Sequence, residues 1–515
     1  MKTFQQLARE NRQKNAGGCY PDALAHATTL AIMLRRLARE DPKDRPAMTV
    51  VALFLWLTQA WPDIHSPKDI PDFVKISGAT PCREHAFRTY KDGALSWAEY
   101  VHRYRDGKKT HYLWQPFPTY LNALFQPFIS AQSYETPFLR PKTKVRLFHI
   151  MKQKWRTPES LKDSPRVRKD TFHQYLIDCA LVDNTLTPIP RAQIVSPNRK
   201  HHKHAETYQR SNSDRVRYKL FDAYNRYLWR LVRAARNAKL SPHFDVLSGQ
   251  HTINLIAEHP KLAQYLSEPG LIAQTVLETV NGTQQRIRST ATPLGSQRHL
   301  EENAVIGFFN DLFVHVRALK PGKSGNKKQW VAYYNGVTYR LALLFIVLTG
   351  TRPTHGISIL TPHYSGGDIV FIKDKGRLRQ IILCDYLQRE IQHYQTLQSA
   401  VLSKWGIRPD LDEMWFCLDD HGLPYRLSNR SLRRFMHQHW PGIVPYQLRH
   451  FFAQSAVNNV SSTRLLDQDI DRLMGHEKLG EHLGSDMIFP ETFDAMKVYL
   501  NQYAERLRMQ KFAYV

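Results

Sequence analysis

Apolar residues recur at helical spacing over residues 23–37 and 48–61, and the spacing predicts a helix in each. Residues 1–140 as a whole read as mostly helical. A longer helix is predicted over 206–238, where Tyr218, Phe221, Tyr224, Tyr227, Leu228 and Leu231 alternate with Arg215, Arg217, Lys219, Arg226, Arg230, Arg233 and Arg236. One face of it is apolar and the other basic, which suits a helix lying along a phosphate backbone. Residues 282–297 are polar and rich in Ser, Thr, Gly and Pro, and read as a linker. Beyond them the pattern predicts a helix over 301–319, a Lys/Gly loop over 320–328, and an apolar helix ending Leu348-Thr349-Gly350. A β-hairpin follows over 366–385, with apolar runs on both sides of Asp374-Lys375-Gly376. The elements predict a mainly α fold with a small β-hairpin or sheet. Three regions are expected: a helical N-terminal domain over 1–165, a basic helical region and linker over 166–298, and a C-terminal domain over 299–515.

Composition points the same way. A chain of 515 residues exceeds the size at which one core keeps growing, so two or three domains are expected. The balance of 72 Lys+Arg against 46 Asp+Glu leaves a formal charge of +26, and polyanions are the natural partners of so basic a chain. The excess is concentrated in runs: Arg140-Pro-Lys-Thr-Lys-Val-Arg, Lys152-Gln-Lys-Trp-Arg, Arg166-Val-Arg-Lys and Arg199-Lys-His-His-Lys-His. Aromatics and prolines crowd residues 112–134; packing explains them first, with base stacking the sharper alternative. The five cysteines lie far apart, with no Cys-x-x-Cys pair, as expected of a reduced intracellular chain. His201, His202 and His204 have no acidic or Cys neighbours to complete a metal site, so no metal or cofactor is expected. No apolar run approaches the ~20 residues of a membrane span, and the N-terminus has no signal-peptide core. A cytoplasmic or nucleoid-associated protein with no membrane partner is the expectation.

Candidate chemistry sits in the C-terminal third. Arg449 stands in Val444-Pro-Tyr-Gln-Leu-Arg-His at the opening of one predicted helix, and His476 follows the next in Asp471-Arg-Leu-Met-Gly-His. A guanidinium offers a planar fork of donors that matches phosphate oxygens and stays charged at any working pH. Arg352 is delivered from the turn after Gly350, where a glycine frees the backbone to end its helix. Lys375 sits at the hairpin tip, with Lys373 before it and Arg377 after it. Taken singly, such arginines are commonly caps or core contacts, and such lysines solvated edge residues.

The order helix, Thr-Gly-x-Arg, lysine hairpin, Leu-Arg-His-x-Phe-Ala, Leu-Met-Gly-His resembles the catalytic domain of the tyrosine recombinases, the phage-type integrase family, over about residues 300–510. The resemblance implies that Arg352 and Arg449 clamp a phosphate, that Lys375 is the hairpin lysine and that His476 is the second-box histidine. It implies a nucleophilic tyrosine, which the run Met496-Lys-Val-Tyr-Leu-Asn-Gln-Tyr-Ala-Glu-Arg-Leu assigns to Tyr499, with Tyr503 its neighbour. Three positions depart from the family: Tyr446 stands where histidine is common, His355 where an acid is common, and Ser485 where the tyrosine usually falls, leaving 477–490 as an enlarged loop.

The function so implied is a site-specific recombinase or integrase of a mobile genetic element, working through a 3′-phosphotyrosine intermediate without cofactor. The alternative is a catalytically inactive, recombinase-derived DNA-binding or regulatory protein. Expected partners are double-stranded DNA, further copies of the chain as a dimer or tetramer, and accessory recombination proteins. Contacts to DNA are expected from Lys373, Arg377 and His450, and from Arg215, Lys219, Arg226 and Arg230.

Overall fold

The computed structural model describes residues 23–77, 83–92, 95–106, 109–153, 169–195, 208–238, 240, 274–280, 283–289, 293–296, 298–322, 324–357, 359–374, 377–459, 463, 465, 467–475 and 490–510. It is mainly helical with small sheets. It divides into two compact units, Met1–His201 with Ser211–Leu294, and His202–Arg210 with Gly295–Val515.

The first unit opens with helices α1 (Ala23–Leu37) and α2 (Arg45–Leu57). The expectation of a mostly helical stretch up to residue 140 then fails. Strands β1 (Val74–Lys75), β2 (Ala86–Asp92), β3 (Leu95–Asp106) and β4 (Lys109–Pro116) form a four-stranded sheet in that order, parallel between β1 and β2 and antiparallel thereafter. In sequence Gly93-Ala94 stands between the paired Asp92 and Leu95, and Gly107-Lys108 between the paired Asp106 and Lys109; glycine first in a two-residue connection is a hairpin signal. Ala98, Tyr100 and Tyr104 then alternate onto the main core, while Val101 joins Trp114 on the other face.

Helices α3 (Thr119–Ala131), α4 (Pro141–Lys152), α5 (Lys169–Val182), α6 (Pro188–Ile194) and α7 (Ser213–Asn237) complete this unit. The aromatic stretch packs: Phe117, Tyr120 and Phe125 are buried in the same core. Leu147 of α4 and Leu176 of α5, on either side of residue 165, belong to that core as well. Part of the basic run 140–146 is neutralised internally, Arg140 by Asp44 at 2.8 Å, Lys144 by Asp72 at 2.8 Å and Arg146 by Asp44 at 3.0 Å.

The stretch expected to be a linker contains a strand. β5 (Gln274–Val280) and β6 (Thr283–Ser289) form an antiparallel hairpin, and Asn281-Gly282, the pair that separates them in sequence, is again a hairpin dipeptide.

The second unit is built around a central helix. Helices α8 (Glu302–Ala318) and α9 (Lys327–Thr349) open it, followed by the short α10 (Pro353–Gly356) and the hairpin β7 (Ile369–Asp374) and β8 (Arg377–Ile382). The hairpin expected over 366–385 is present, and its register pairs Asp374 with Arg377 and Lys373 with Leu378. Helix α11 (Asp385–Trp405), a ribbon of β9 (Cys417–Leu418) and β10 (Pro424–Tyr425), and helices α12 (Asn429–His439), α13 (Pro445–Asn458), α14 (Asp467–Met474) and α15 (Pro490–Arg506) complete it.

Helix α9 starts on a capping box: the Asn326 side chain accepts from the Gln329 N–H at 2.9 Å, and the Gln329 side chain accepts from the Asn326 N–H at 2.9 Å. Among the described residues it is the one helix long and apolar enough to cross a membrane, and 83% of that apolar window is buried inside the unit. Midway along it Arg340 forms a buried pair with Glu390 of α11 at 2.6 Å and donates to the Tyr386 hydroxyl at 2.9 Å. Glu390→Ala would strand that guanidinium in the core. It is expected to cost ~3–5 kcal/mol, read as a lowered urea midpoint with unchanged slope.

Candidate phosphate-binding site

The site is assembled around Arg449, in the second turn of α13. Its side chain is fully buried. One terminal nitrogen donates to the carbonyl of Gly350, which caps α9 with φ +65°, and the other donates to the carbonyl of Met474 at 2.7 Å, the last residue of α14. Arg352 follows Gly350 by two residues, and His476 follows Met474 by two. One guanidinium therefore fixes the ends of both segments that carry the other candidate residues. The packing at this junction excludes side chains. A Cβ on Gly350 would run into the Phe452 ring and lie 2.9 Å from the Met474 sulfur.

The hairpin is tied to the same place. Arg379 of β8 donates to the carbonyls of Leu473 and, at 3.4 Å, Arg472, at the end of α14. A Cβ on Gly475, where φ is +63°, would meet the Arg379 guanidinium at 2.7 Å. Lys373 is exposed on β7. Lys375 and His476 lie outside the described residues, as do Ser485 and the side chains of Arg377 and His355.

Arg352 is half-buried at the start of α10, within electrostatic reach of Arg449. Burial lowers the Arg449 pKa, Tyr208 opposes that, and Arg352 lowers it further, as one cation does beside another. Two guanidiniums within electrostatic reach of each other favour an anion nearby. Tyr446 and His450 line the adjoining face of α13, their rings 5.1 Å apart.

Two groups here had no periodicity or motif to mark them. Arg298 places its guanidinium 5.9 Å from the centre of the Tyr446 ring, with a nitrogen 3.5 Å from His450 Nε2. Tyr208 tilts against His450 at 4.8 Å, and its phenol lies within electrostatic reach of Arg449. Burial raises the Tyr208 pKa, and the two arginines pull it back.

Tyr499 is not gathered into this cluster. It lies on α15 with 1% of its surface exposed, stacked on Tyr503 at 6.0 Å. Burial pushes its pKa up, and the charged groups acting on it are Arg506 and Glu302, not the arginine pair. Its hydroxyl has no hydrogen-bond partner among the described residues, while the Tyr503 hydroxyl donates to the Val347 carbonyl at 3.1 Å.

In the first unit the basic face of α7 is narrower than its sequence suggests. Arg226 is paired with Asp183 at 2.9 Å and Asp222 at 3.1 Å, and Arg217 is buried beside Asp214 at 3.5 Å. Arg230 lies over the Tyr227 ring, and Lys219 beside Tyr218 is half-buried, its pKa lowered by desolvation. Arg215 and Arg233 are exposed, with Arg233 5.1 Å from the exposed Trp229 ring. Among the described residues no three His, Cys, Asp or Glu side chains gather where a metal ion could be held. Cys179, Cys384 and Cys417 are buried and free, and burial raises the first two thiols to about 11.

No family model and no curated protein matches the chain. Among solved structures it is similar to the XerH site-specific recombinase bound to its difH substrate in a pre-cleavage complex. The identity is 15%, the TM-score 0.23, and the match covers 58% of this chain and 92% of that one. A superposition this loose carries no weight for the fold or the chemistry.

Proposed function

We propose that the chain binds duplex DNA and that residues 299–515 form a strand-transfer domain of the tyrosine-recombinase type, preceded by DNA-clamping regions over 1–165 and 166–298. The observation that carries this reading is the junction at Arg449. The ends of α9 and α14 meet there, the hairpin is tied to it through Arg379, and Arg352 stands beside it. Four sequence motifs far apart in the chain have that one junction in common.

In the proposed reaction Arg352 and Arg449 neutralise the non-bridging oxygens of a backbone phosphate, as a metal would elsewhere. The Tyr499 oxygen attacks phosphorus as its phenol proton passes to His476, the bond to the 5′-oxygen breaks, and a 3′-phosphotyrosine ester conserves its energy. Lys375 supplies the proton to the leaving 5′-oxygen, while His476 and Tyr446 hydrogen-bond the phosphate. Attack by a 5′-hydroxyl of a partner strand reverses the step and completes exchange between copies of the chain assembled as a dimer or tetramer. Because Tyr499 is buried, α15 has to leave its seat before the phenol can react.

That burial also favours a second reading, a DNA-binding or regulatory protein that keeps the phosphate site without cleaving. A nicked duplex that traps covalent intermediates separates the two. The recombinase reading expects a detergent-stable protein–DNA adduct that Tyr499→Phe abolishes. An adduct surviving that substitution moves the nucleophile elsewhere, and tight binding with no adduct selects the second reading.

A further inference from the structure

The second unit holds a cavity of about 450 Å³, counting its open mouth, where the end of α9, strand β8, the end of α14 and helix α15 come together. Its apolar wall includes Leu473 of α14 with Phe493, Met496 and Leu500 of α15, and the last three share one helical face by their spacing. Its charged members are Arg379 and Arg472, and no Asp or Glu stands among the described residues that line it. Both arginines are anchored. Arg379 donates to the carbonyls of Leu473 and Arg472, and Arg472 donates to Asp469 at 3.0 Å. Two positive charges are thus held beside apolar surface that lacks packing partners across the void. Unfilled space forfeits dispersion contacts on every side chain that lines it. A short hydrocarbon would restore those contacts, and a carboxylate is the head group that matches a guanidinium fork.

We propose that this cavity binds a small carboxylic acid with an apolar body, its carboxylate held by Arg472 and Arg379 and its hydrocarbon seated on Leu473, Phe493, Met496 and Leu500. Neither Arg352 nor Arg449 lines the cavity, so the inference stands whether or not the chain cleaves DNA. Because the walls come from separate elements, an occupant joins α15 to the hairpin strand and slows the opening of that helix.

Calorimetric titration of the full-length chain with hexanoate, hexanol and hexylamine tests the proposal, since the three probes share a hydrocarbon and differ in the head group. Salt is kept at about 0.15 M to screen general attraction of anions to a basic chain. Hexanoate is expected to fill one site about tenfold more tightly than hexanol, the factor set by hydrogen bonds to a charged donor, with hexylamine the weakest. Absence of saturable hexanoate binding, or equal affinity for acid and alcohol, overturns the proposal. Arg472→Gln is expected to bring the acid down toward the alcohol; an unchanged preference overturns the assignment of the carboxylate. Amide exchange of the native chain at saturating hexanoate reads the placement, and needs no variant to fold. Exchange is expected to slow in α15 and β8, and slowing confined to other segments overturns the site.

Discussion

Arg449→Leu is expected to destabilise the C-terminal unit by ~2–6 kcal/mol, because two buried carbonyls lose their donor and each such loss costs ~1–3 kcal/mol. The carbonyls are those of Gly350 and Met474, at a junction whose central side chain has no exposed surface. Denaturant unfolding monitored on the C-terminal unit reads the loss. Amide exchange should accelerate first at the ends of α9 and α14, since those are the segments released. Arg352→Leu is the control. Its side chain is only partly buried, so stability should move by less than ~1 kcal/mol while duplex affinity falls. Equal stability losses in the two variants would contradict the distinction between a fully buried arginine and a partly exposed one.

Gly350→Val acts on the same junction from the backbone side. At φ +65° a β-branched residue is strained by ~1–2 kcal/mol before any contact is counted. Its Cβ would also drive into Phe452 and the Met474 sulfur, and overpacking of this kind adds ~1–3 kcal/mol. The sum, ~2–5 kcal/mol, should appear as a lowered midpoint in thermal or urea unfolding. Gly406→Ala provides the comparison: the same left-handed conformation ends α11, but nothing lies within 4 Å of the added carbon. If the two variants unfolded alike, backbone strain alone would account for the effect, and the close approach of Phe452 would not matter.

The C-terminal unit was legible because its punctuation is chemical. Glycine at 350, the apolar run before it and the Asp-Lys-Gly tip of the hairpin each name a local conformation, and the helix and strand bounds follow. The N-terminal sheet departs from the mostly helical reading of residues 1–140 because the helical spacing behind that reading lies in 23–37 and 48–61 alone, while the alternation that marks β3 lies beyond both runs. Asn281-Gly282, between the paired Val280 and Thr283, likewise sits at the edge of the polar stretch read as a linker. Charge was over-read for a different reason. A row of arginines along α7 looks solvent-facing in sequence, yet Asp183 and Asp214 reclaim Arg226 and Arg217, and only packing reveals such partners. Tyr208 and Arg298 were invisible because a lone side chain on a connecting segment has no pattern. What defines each is the His450 ring that each approaches.

The tie from Arg379 to the end of α14 has a mechanical consequence. The hairpin and the helix end are linked by donors on one strand and carbonyls on one turn, with a positive-φ glycine leaving room for the guanidinium between them. Tension applied at the hairpin is passed through that guanidinium to Leu473, and from the neighbouring Met474 into Arg449. Strand and helix terminus then travel as one lever, and a pull on either reaches the arginine at its fulcrum.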